Sequence, residues 1–462
     1  MKINASRRAM LPVILALALP TMLEQLLQTA VQYIDTAMVG SLGTQATAAV
    51  GATTTINWLV GSSISALGIG FLSHIARSIG AGDTALAKRI SAQSVFIVLT
   101  IGGFFTLLCL GLSNIVPIWM QVDPAIRDLS AKYFFILYTP MLPRAASIIF
   151  STLLRAAGDT RTPMRVGILV NLTNVILNFF LIFPTRTITV WKISFTMPGV
   201  GMGVIGAAVA SAIAFTVGGI CMTAAYWNHP VLSPRGENLR PEKSLLLPCL
   251  RTALPNMLQR FGTSLGYVAF AAMINSLGEI STAAHTIANT VESAFYIPGF
   301  GMQTAAATLA GNAVGAKDSE RMRDIIRVIF PLEIILMTVS GGLLFVLAPS
   351  MMQLFAEEMA VILLGTTILR MVSLSEPFYG VSIIIEGMMF GVGKTVTPFI
   401  FNLIGMWGVR IIGTFIFTQI LHFGLISAWG CMIAHNILLF ILFLIHFIRG
   451  KWNPLQTSST RI

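Results

Sequence analysis

The chain reads as an all-α integral membrane protein of about twelve transmembrane helices, built as two parallel six-helix repeats that form two lobes around a central cavity. Three observations predict this. Hydrophobic residues make up 55% of the 462 residues and charged residues only 10%, and the mean hydropathy is +0.82, far from a soluble domain. Apolar stretches of spanning length recur along the whole chain. The first half then returns in the second at one offset, 235 residues. Ala18-Leu19-Pro20 reappears as Ala253-Leu254-Pro255, and Leu42-Gly43 as Leu277-Gly278. Gly80-Ala81-Gly82-Asp83 reappears as Gly315-Ala316-Lys317-Asp318, and Gly158 with Thr162-Pro163 as Gly393 with Thr397-Pro398.

Taken in order, the predicted spans of the first half are 11–39, 48–75, 91–112, 131–153, 165–185 and 199–226. Those of the second half are 250–276, 283–311, 324–347, 359–390, 396–419 and 423–448. The start, MKINASRRAMLPVILALALP, has the basic and apolar regions of a leader peptide. It is expected to stay as helix 1, because it runs on into a long apolar segment and its Ala-Leu-Pro recurs inside the second repeat. Polar turns with Gly, Asp or Thr-Pro separate the later spans. The stretch Trp227–Ser244 (WNHPVLSPRGENLRPEKS) is polar, charged and rich in Pro, as expected of a tether joining the halves. The resulting division is a lobe at 1–228, a cytoplasmic linker at 229–245, a lobe at 246–450 and a cytoplasmic tail at 451–462.

Six is an even number, so each copy begins and ends on one side of the membrane and the repeats are parallel. With both termini cytoplasmic, most of the 29 Lys and Arg fall on the cytoplasmic side. Only Arg127, Lys132, Arg186 and Lys192 lie outside, and Arg144, Arg260, Arg370 and Arg410 lie within helices. The net charge of +11 is thus a topology signal spread over short loops, and it argues against nucleic acid binding. The expected location is the cell membrane. Cys109, Cys221, Cys249 and Cys431 sit in apolar helices with no CxxC spacing and read as inert thiols.

A duplicated apolar chain of this kind is the mark of a secondary transporter, with its substrate site between the halves. In such a chain the polar residues inside the spans carry the information. Helix 1 bears Thr21, Glu24, Gln25, Gln28, Gln32 and Asp35 on one stripe, with Pro20 just before it as a candidate hinge. The stripe recurs in helix 7 as Asn256, Gln259, Arg260, Thr263 and Tyr267, but Phe270 stands where Asp35 would be and Gln259 where Glu24 would be. The lobes are therefore chemically unequal. Helix 5 adds Asn171, Asn174 and Asn178 on a single face, three amides able to ligate Na+ or to hold a protonatable acid. The second half has Glu292, Glu376 and Glu386, with Arg260, Arg370 and Arg410 as candidate counter-charges and His285 and His435 as candidate proton carriers. Structural ion pairing and helix-to-helix hydrogen bonding compete with a transport role for each of these residues. Gly391-Val392-Gly393-Lys394-Thr395 is not a phosphate loop, because Met388 occupies the position of its first glycine. No metal-ligand cluster and no nucleophile–base arrangement suggests an enzyme or a cofactor.

Several segments together resemble the multidrug and toxic compound extrusion family over roughly residues 9–448. They are Ala18-Leu19-Pro20, Tyr33 through Gly40, Leu153 through Thr160 with Thr162-Pro163, Asn174 through Asn178, and Ala284-His285 through Glu292 to Pro298-Gly299-Phe300-Gly301. The resemblance implies a V-shaped pair of six-helix bundles alternating between inward- and outward-open states. It implies export of organic, often cationic, drug-like compounds in exchange for H+ or Na+. Asp35 matches the helix-1 acid of the family's cation site, Asn174 and Asn178 match helix-5 positions, and Ser211 stands where some relatives carry a helix-6 hydroxyl. A Na+ ion near Asp35 is one form this site takes. Pro20 matches the proline proposed to bend helix 1.

Two departures stand out. Some relatives carry aspartate where this chain has Asn178, and the sodium-coupled branch uses a helix-7 acid that is missing between Arg251 and Gly278. Glu292 or Glu376 would have to replace it. The expected site is therefore Asp35, Asn174, Asn178 and Ser211 for coupling. Glu24, Gln28, Gln32, Asn171, Arg260, Glu292 and Glu376 are expected to line the cavity. The expected partners are small organic substrates and the bilayer, with one chain sufficient for transport. The competing expectation is a flippase for a lipid-linked saccharide of the same wider superfamily, which would use the arginines inside the helices to hold pyrophosphate.

Overall fold

The structure is a computed structural model and describes residues 2–120, 122–190 and 193–455. Of the tail at 451–462, residues 456–462 lie outside the described residues, as does Lys192. The first half runs α1 (Lys2–Gly40), α2 (Thr44–Gly80), α3 (Thr84–Leu112), the short α4 (Val116–Trp119), α5 (Arg127–Tyr138), α6 (Met141–Ala156), α7 (Arg161–Leu181) and α8 (Gly203–Trp227). The second half runs α9 (Lys243–Asn275), α10 (Glu279–Phe295), α11 (Ile297–Gly315), α12 (Ser319–Phe355), α13 (Met359–Ser373) and α14 (Glu376–Gly391). It closes with α15 (Val396–Leu403), α16 (Ile412–Phe415) and α17 (Leu425–Ile448).

Among the described residues, eight helices are long and apolar enough to cross a membrane, or ten when α5–α6 and α13–α14 each count as one bent span. Helix α9, which carries a polar stripe, and the α10–α11 pair complete the twelve. The bends obey the repeat. They measure 50° at Thr139-Pro140 and 53° at Leu374-Ser375, positions 235 residues apart. The repeated turns are left-handed for a steric reason: Gly43 and Gly278 (φ 110° and 101°) precede α2 and α10, and Gly158 and Gly393 (86° and 79°) follow α6 and α14. Asp83 and Asp318 cap α3 and α12 by accepting from Leu86 N and Arg321 N, each at 2.8 Å.

Three features break the symmetry. The link from α7 to α8 is an antiparallel hairpin, β1 (Pro184–Val190) with β2 (Ile193–Val200), the one sheet among the described residues. Helix α2 is continuous, whereas its counterpart splits at Tyr296, ahead of Pro298. The span that matches α7 is π-helical at Ile404–Ile411 and Ile416–Ile420. Helix α1 itself runs unbroken through Pro12 and Pro20, so Pro20 does not act as a break in this conformation.

The first-half core gathers Phe71, Tyr138, Ile149, Phe150, Leu153 and Tyr226. A second core around Met302, Met322, Ile325, Ile384, Met388 and Phe443 also takes in Ile14, Leu17 and Ala18 of α1. A third, around Phe270, Leu344, Ile368 and Trp429, lies wholly in the second half. Helix α1 therefore packs against both halves.

The halves meet most closely where α2 crosses α11, near the basic loops. A Cβ built on Gly80 would fall 2.1 Å from the Asn312 carbonyl oxygen, and one on Gly315 would fall 1.9 Å from that of Arg77. Gly80 and Gly315 are repeat mates, and so are Arg77 and Asn312. The crossing is a pseudo-two-fold in which each glycine admits the other helix's backbone. Nearby, Ser73 Oγ donates to Gly391 O at 3.0 Å and Thr308 Oγ1 donates to Arg155 O at 3.1 Å. His74 Nε2 lies 3.3 Å from Thr252 Oγ1.

The linker is strapped to α3. Arg89 reaches both oxygens of Glu242 at 3.0 Å, Lys88 pairs with Glu237 at 3.4 Å, and Gln93 donates to Asn238 O and Arg240 O.

Candidate functional site

One carboxylate in α1 faces two other helices of its own lobe. Asn178 Nδ2 of α7 donates to Asp35 Oδ1 at 2.6 Å. When the Asn174 amide presents its nitrogen to the acid, that nitrogen lies 2.8 and 2.9 Å from the two carboxylate oxygens, and Asn174 Oδ1 accepts from Ser211 Oγ of α8 at 3.0 Å. Asn174 and Asn178 are buried, at 6% and 1% exposure, while Asp35 and Ser211 keep part of their surface. Helical spacing explains the convergence: positions 174 and 178 are one turn apart on α7, and both face α1. Asn178 Oδ1 is buried with no partner among the described residues, an acceptor left open beside the acid.

The other stripe residues are placed differently. Gln28 and Gln32 are exposed on the Asp35 face, and Asn171 is half-buried one turn before Asn174. Glu24 lies about three turns away from Asp35 and is held by Arg155 Nη2 of α6 at 2.7 Å, each side chain 18% exposed. It is thus part of an ion pair beside the lobe contact. Its partner, Arg155, reads from sequence as a loop cation, and only the three-dimensional packing brings the two together.

In the second lobe the acids separate into two kinds. Glu292 is 2% exposed and accepts from Tyr296 Oη, whereas Glu376, 1% exposed, has neither oxygen partnered among the described residues. Glu386 is held by three amides: Gln259 Nε2 at 2.7 Å, Asn402 Nδ2 at 2.8 Å and Gln303 Nε2 at 2.8 Å. Arg260, half-buried on α9, forms no ion pair with it among the described residues. Gln303 and Asn402 escape the sequence reading, although lone amides in apolar spans are themselves a signal. The arginines do not converge. Arg144 donates to Asn57 Oδ1 at 2.6 Å and stacks on Phe215, while Arg370 is exposed against Phe345. Arg410 lies between Tyr267 and Phe270.

Two six-helix halves meeting at a pseudo-two-fold, with a carboxylate–amide cluster in one of them, define a polytopic membrane transporter of duplicated architecture. The sequence model of the MatE family matches the chain twice, at residues 20–180 and 255–416, and the chain belongs to that family. The two matches begin at the repeat mates Pro20 and Pro255. Among curated relatives, a probable multidrug resistance protein NorM of Thermotoga maritima is 29% identical over 439 residues, covering 95% of this chain and 92% of the relative. The multidrug resistance protein MdtK of Edwardsiella ictaluri is 21% identical over 401 residues, covering 85% and 84%. Among solved structures, the outward-facing conformation of a multidrug resistance MATE family transporter superposes with a TM-score of 0.86 at 22% identity over 96% of both chains. A MATE structure in a bent conformation gives 0.85 at 21% identity over 98% of both. These likenesses establish the two-lobed, twelve-helix fold.

Proposed function

We propose that this chain exports organic, drug-like compounds, cationic ones above all, by alternating access in exchange for H+ or Na+ bound at Asp35. It does so as a single chain in the cell membrane with both termini cytoplasmic. The observation that carries the reading is the convergence of Asp35, Asn174, Asn178 and Ser211 from three helices of one lobe. An amide beside an acid has two useful orientations. With its nitrogen toward Asp35, Asn174 stabilises the carboxylate. Turned over, it offers Oδ1 to a protonated Asp35 or to Na+, and its Nδ2 donates to Ser211 Oγ at 3.0 Å. The open Asn178 Oδ1 and the Asp35 carboxylate would supply further oxygens to Na+. The site residues thus fit either ion, and loading or unloading it re-pairs α7, α8 and α1.

Multidrug resistance names among the relatives support drug-like substrates. The lipid-linked-saccharide reading wants several cations around one anion, whereas Arg144, Arg370 and Arg410 each have separate neighbours. The test is ethidium efflux from drug-sensitive cells expressing wild type or Asp35→Asn, with H+ and Na+ gradients collapsed separately. We expect efflux to be lost in the variant and with one gradient, which names the ion. Wild-type efflux by a well-expressed Asp35→Asn overturns the assignment.

A further inference from the structure

The second lobe replaces the anion of the first with a cation. Phe270 is the repeat mate of Asp35, and Arg410 stacks on its ring with the guanidinium carbon 4.1 Å from the centroid; Tyr267 covers it at 4.9 Å. In the repeat frame Arg410 matches Val175, one residue beyond Asn174. The guanidinium therefore occupies the region that corresponds to the Asp35–Asn174 cluster. It is brought there by the π-helical turns Ile404–Ile411, a distortion that α7 lacks and that often accompanies functional sites.

Arg410 is 3% exposed, yet no oxygen among the described residues accepts from it, and its Nε is sealed from solvent without a partner. Aromatic rings cover the faces of a guanidinium and leave its five N–H donors, which all lie in its plane. The sealed Nε–H calls for an acceptor, and the four N–H groups of Nη1 and Nη2 lie in the same plane to share it. His435 of α17, packed on the same π-helical segment at Gly405, is 6% exposed with both ring nitrogens unpartnered among the described residues. Glycine at 405 lets that ring pack against the π-helical backbone; a Cβ there would fall 2.5 Å from His435 Cδ2. His285 is already engaged, its Nδ1 accepting from Trp429 Nε1 at 3.3 Å. Glu292 accepts from Tyr296 Oη and forms no ion pair with Arg410 among the described residues.

We propose that the second lobe holds a site for one small monovalent anion, bound in the plane of Arg410 with His435 as a second donor. The occupant is either a free halide or the carboxylate of a substrate. This assignment is independent of the coupling role proposed for Asp35. The test uses the full-length protein, with bromide and benzoate as probes and divalent sulfate as a control at equal ionic strength. We expect an anomalous bromide peak at Arg410 in soaked crystals and a bromide-dependent rise in Tm. The rise is lost in Arg410→Gln, and the apparent affinity falls at least about tenfold in Arg410→Lys, which keeps the charge and loses the fork. Stabilisation by benzoate alone, lost in the same variants, assigns the site to a substrate carboxylate. Should Arg410→Gln fail to fold, Arg410→Lys and the wild-type density decide. No bromide density at Arg410 together with no benzoate effect overturns the proposal, as does equal affinity for either probe in the wild type and a folded Arg410 variant.

Discussion

Replacing Gly315 with alanine should drive the two halves apart beside the basic loops. The new Cβ would stand 1.9 Å from Arg77 O, where ordinary carbon–oxygen contact is about 3.3 Å. Backbone lies on both sides of the clash, so no side chain can swing away. Relief requires α2 and α11 to separate by more than about 1 Å, and overpacking of this kind costs about 1–3 kcal/mol. Charged against the closed contact alone, that shifts the balance toward separated lobes by about 5- to 150-fold. Cys249 reports the shift. It is 1% exposed in α9, and its carbonyl lies 2.2 Å from a Cβ built on Gly70 of α2, inside the same lobe contact. In a background with Cys109, Cys221 and Cys431 changed to alanine, maleimide should modify Cys249 at least about fivefold faster in Gly315→Ala. Gly80→Ala, the repeat mate, should act alike. Gly342→Ala, where nothing lies within 4 Å of the added carbon, should leave the rate unchanged. A folded Gly315→Ala protein with wild-type Cys249 reactivity would refute the reasoning.

Glu24→Gln leaves Arg155 part-buried without its counter-ion and should cost about 2–3 kcal/mol, read as a fall in Tm. Adding Arg155→Gln should restore more than half, since the penalty belongs to the unpaired charge. Lys317→Gly should raise Tm: Lys317 sits at φ 55° where its repeat mate is Gly82 at 77°. Removing that left-handed strain gains about 1–2 kcal/mol, offset by about 0.4–1 kcal/mol of unfolded-chain freedom. Gly82→Ala should act in the opposite direction. The linker should loosen with acid. Burial holds the His229 imidazole below its ordinary pKa of 6.5, with Asp159 opposing, and its Nδ1 accepts from Val231 N and Leu232 N at 3.2 Å. A depressed base contributes stability that is complete above about pH 6.5 and declines as pH falls toward the folded pKa. Glu242, lowered by the Ser244 hydroxyl and Arg89, gives way only below the ordinary carboxylate range. The protection factors of the Val231 and Leu232 amides, taken relative to the intrinsic rate at each pH, should therefore fall between pH 7 and 5, and unaltered protection would contradict it.

Much of the architecture was legible because hydrophobic length, even span number and repeated turns are local properties of the chain. The turns recur at one offset since the backbone there is left-handed and needs glycine, or tolerates Lys317, whatever surrounds it. The α7 amides were legible for the same reason: helical periodicity alone puts Asn174 and Asn178 on one face. Other features were not. The hairpin between α7 and α8 carries a weak strand signal next to strong apolar helices, and the π-helical turns before Arg410 leave no mark in hydropathy.

Pairing across helices lay beyond periodicity altogether. The sequence by itself determined the twelve-helix class, the parallel repeat and the one-sided acid at position 35, because each follows from the order of residues along a helix. Only the tertiary structure decided that Glu24 is neutralised by Arg155, that three amides from three helices surround Glu386, and that Arg410 lies over Phe270, the repeat mate of Asp35. Those facts depend on which faces of separate helices meet. In a membrane protein such contacts are set by close backbone approach at residues such as Gly80 and Gly315, and by the need to satisfy each buried polar group.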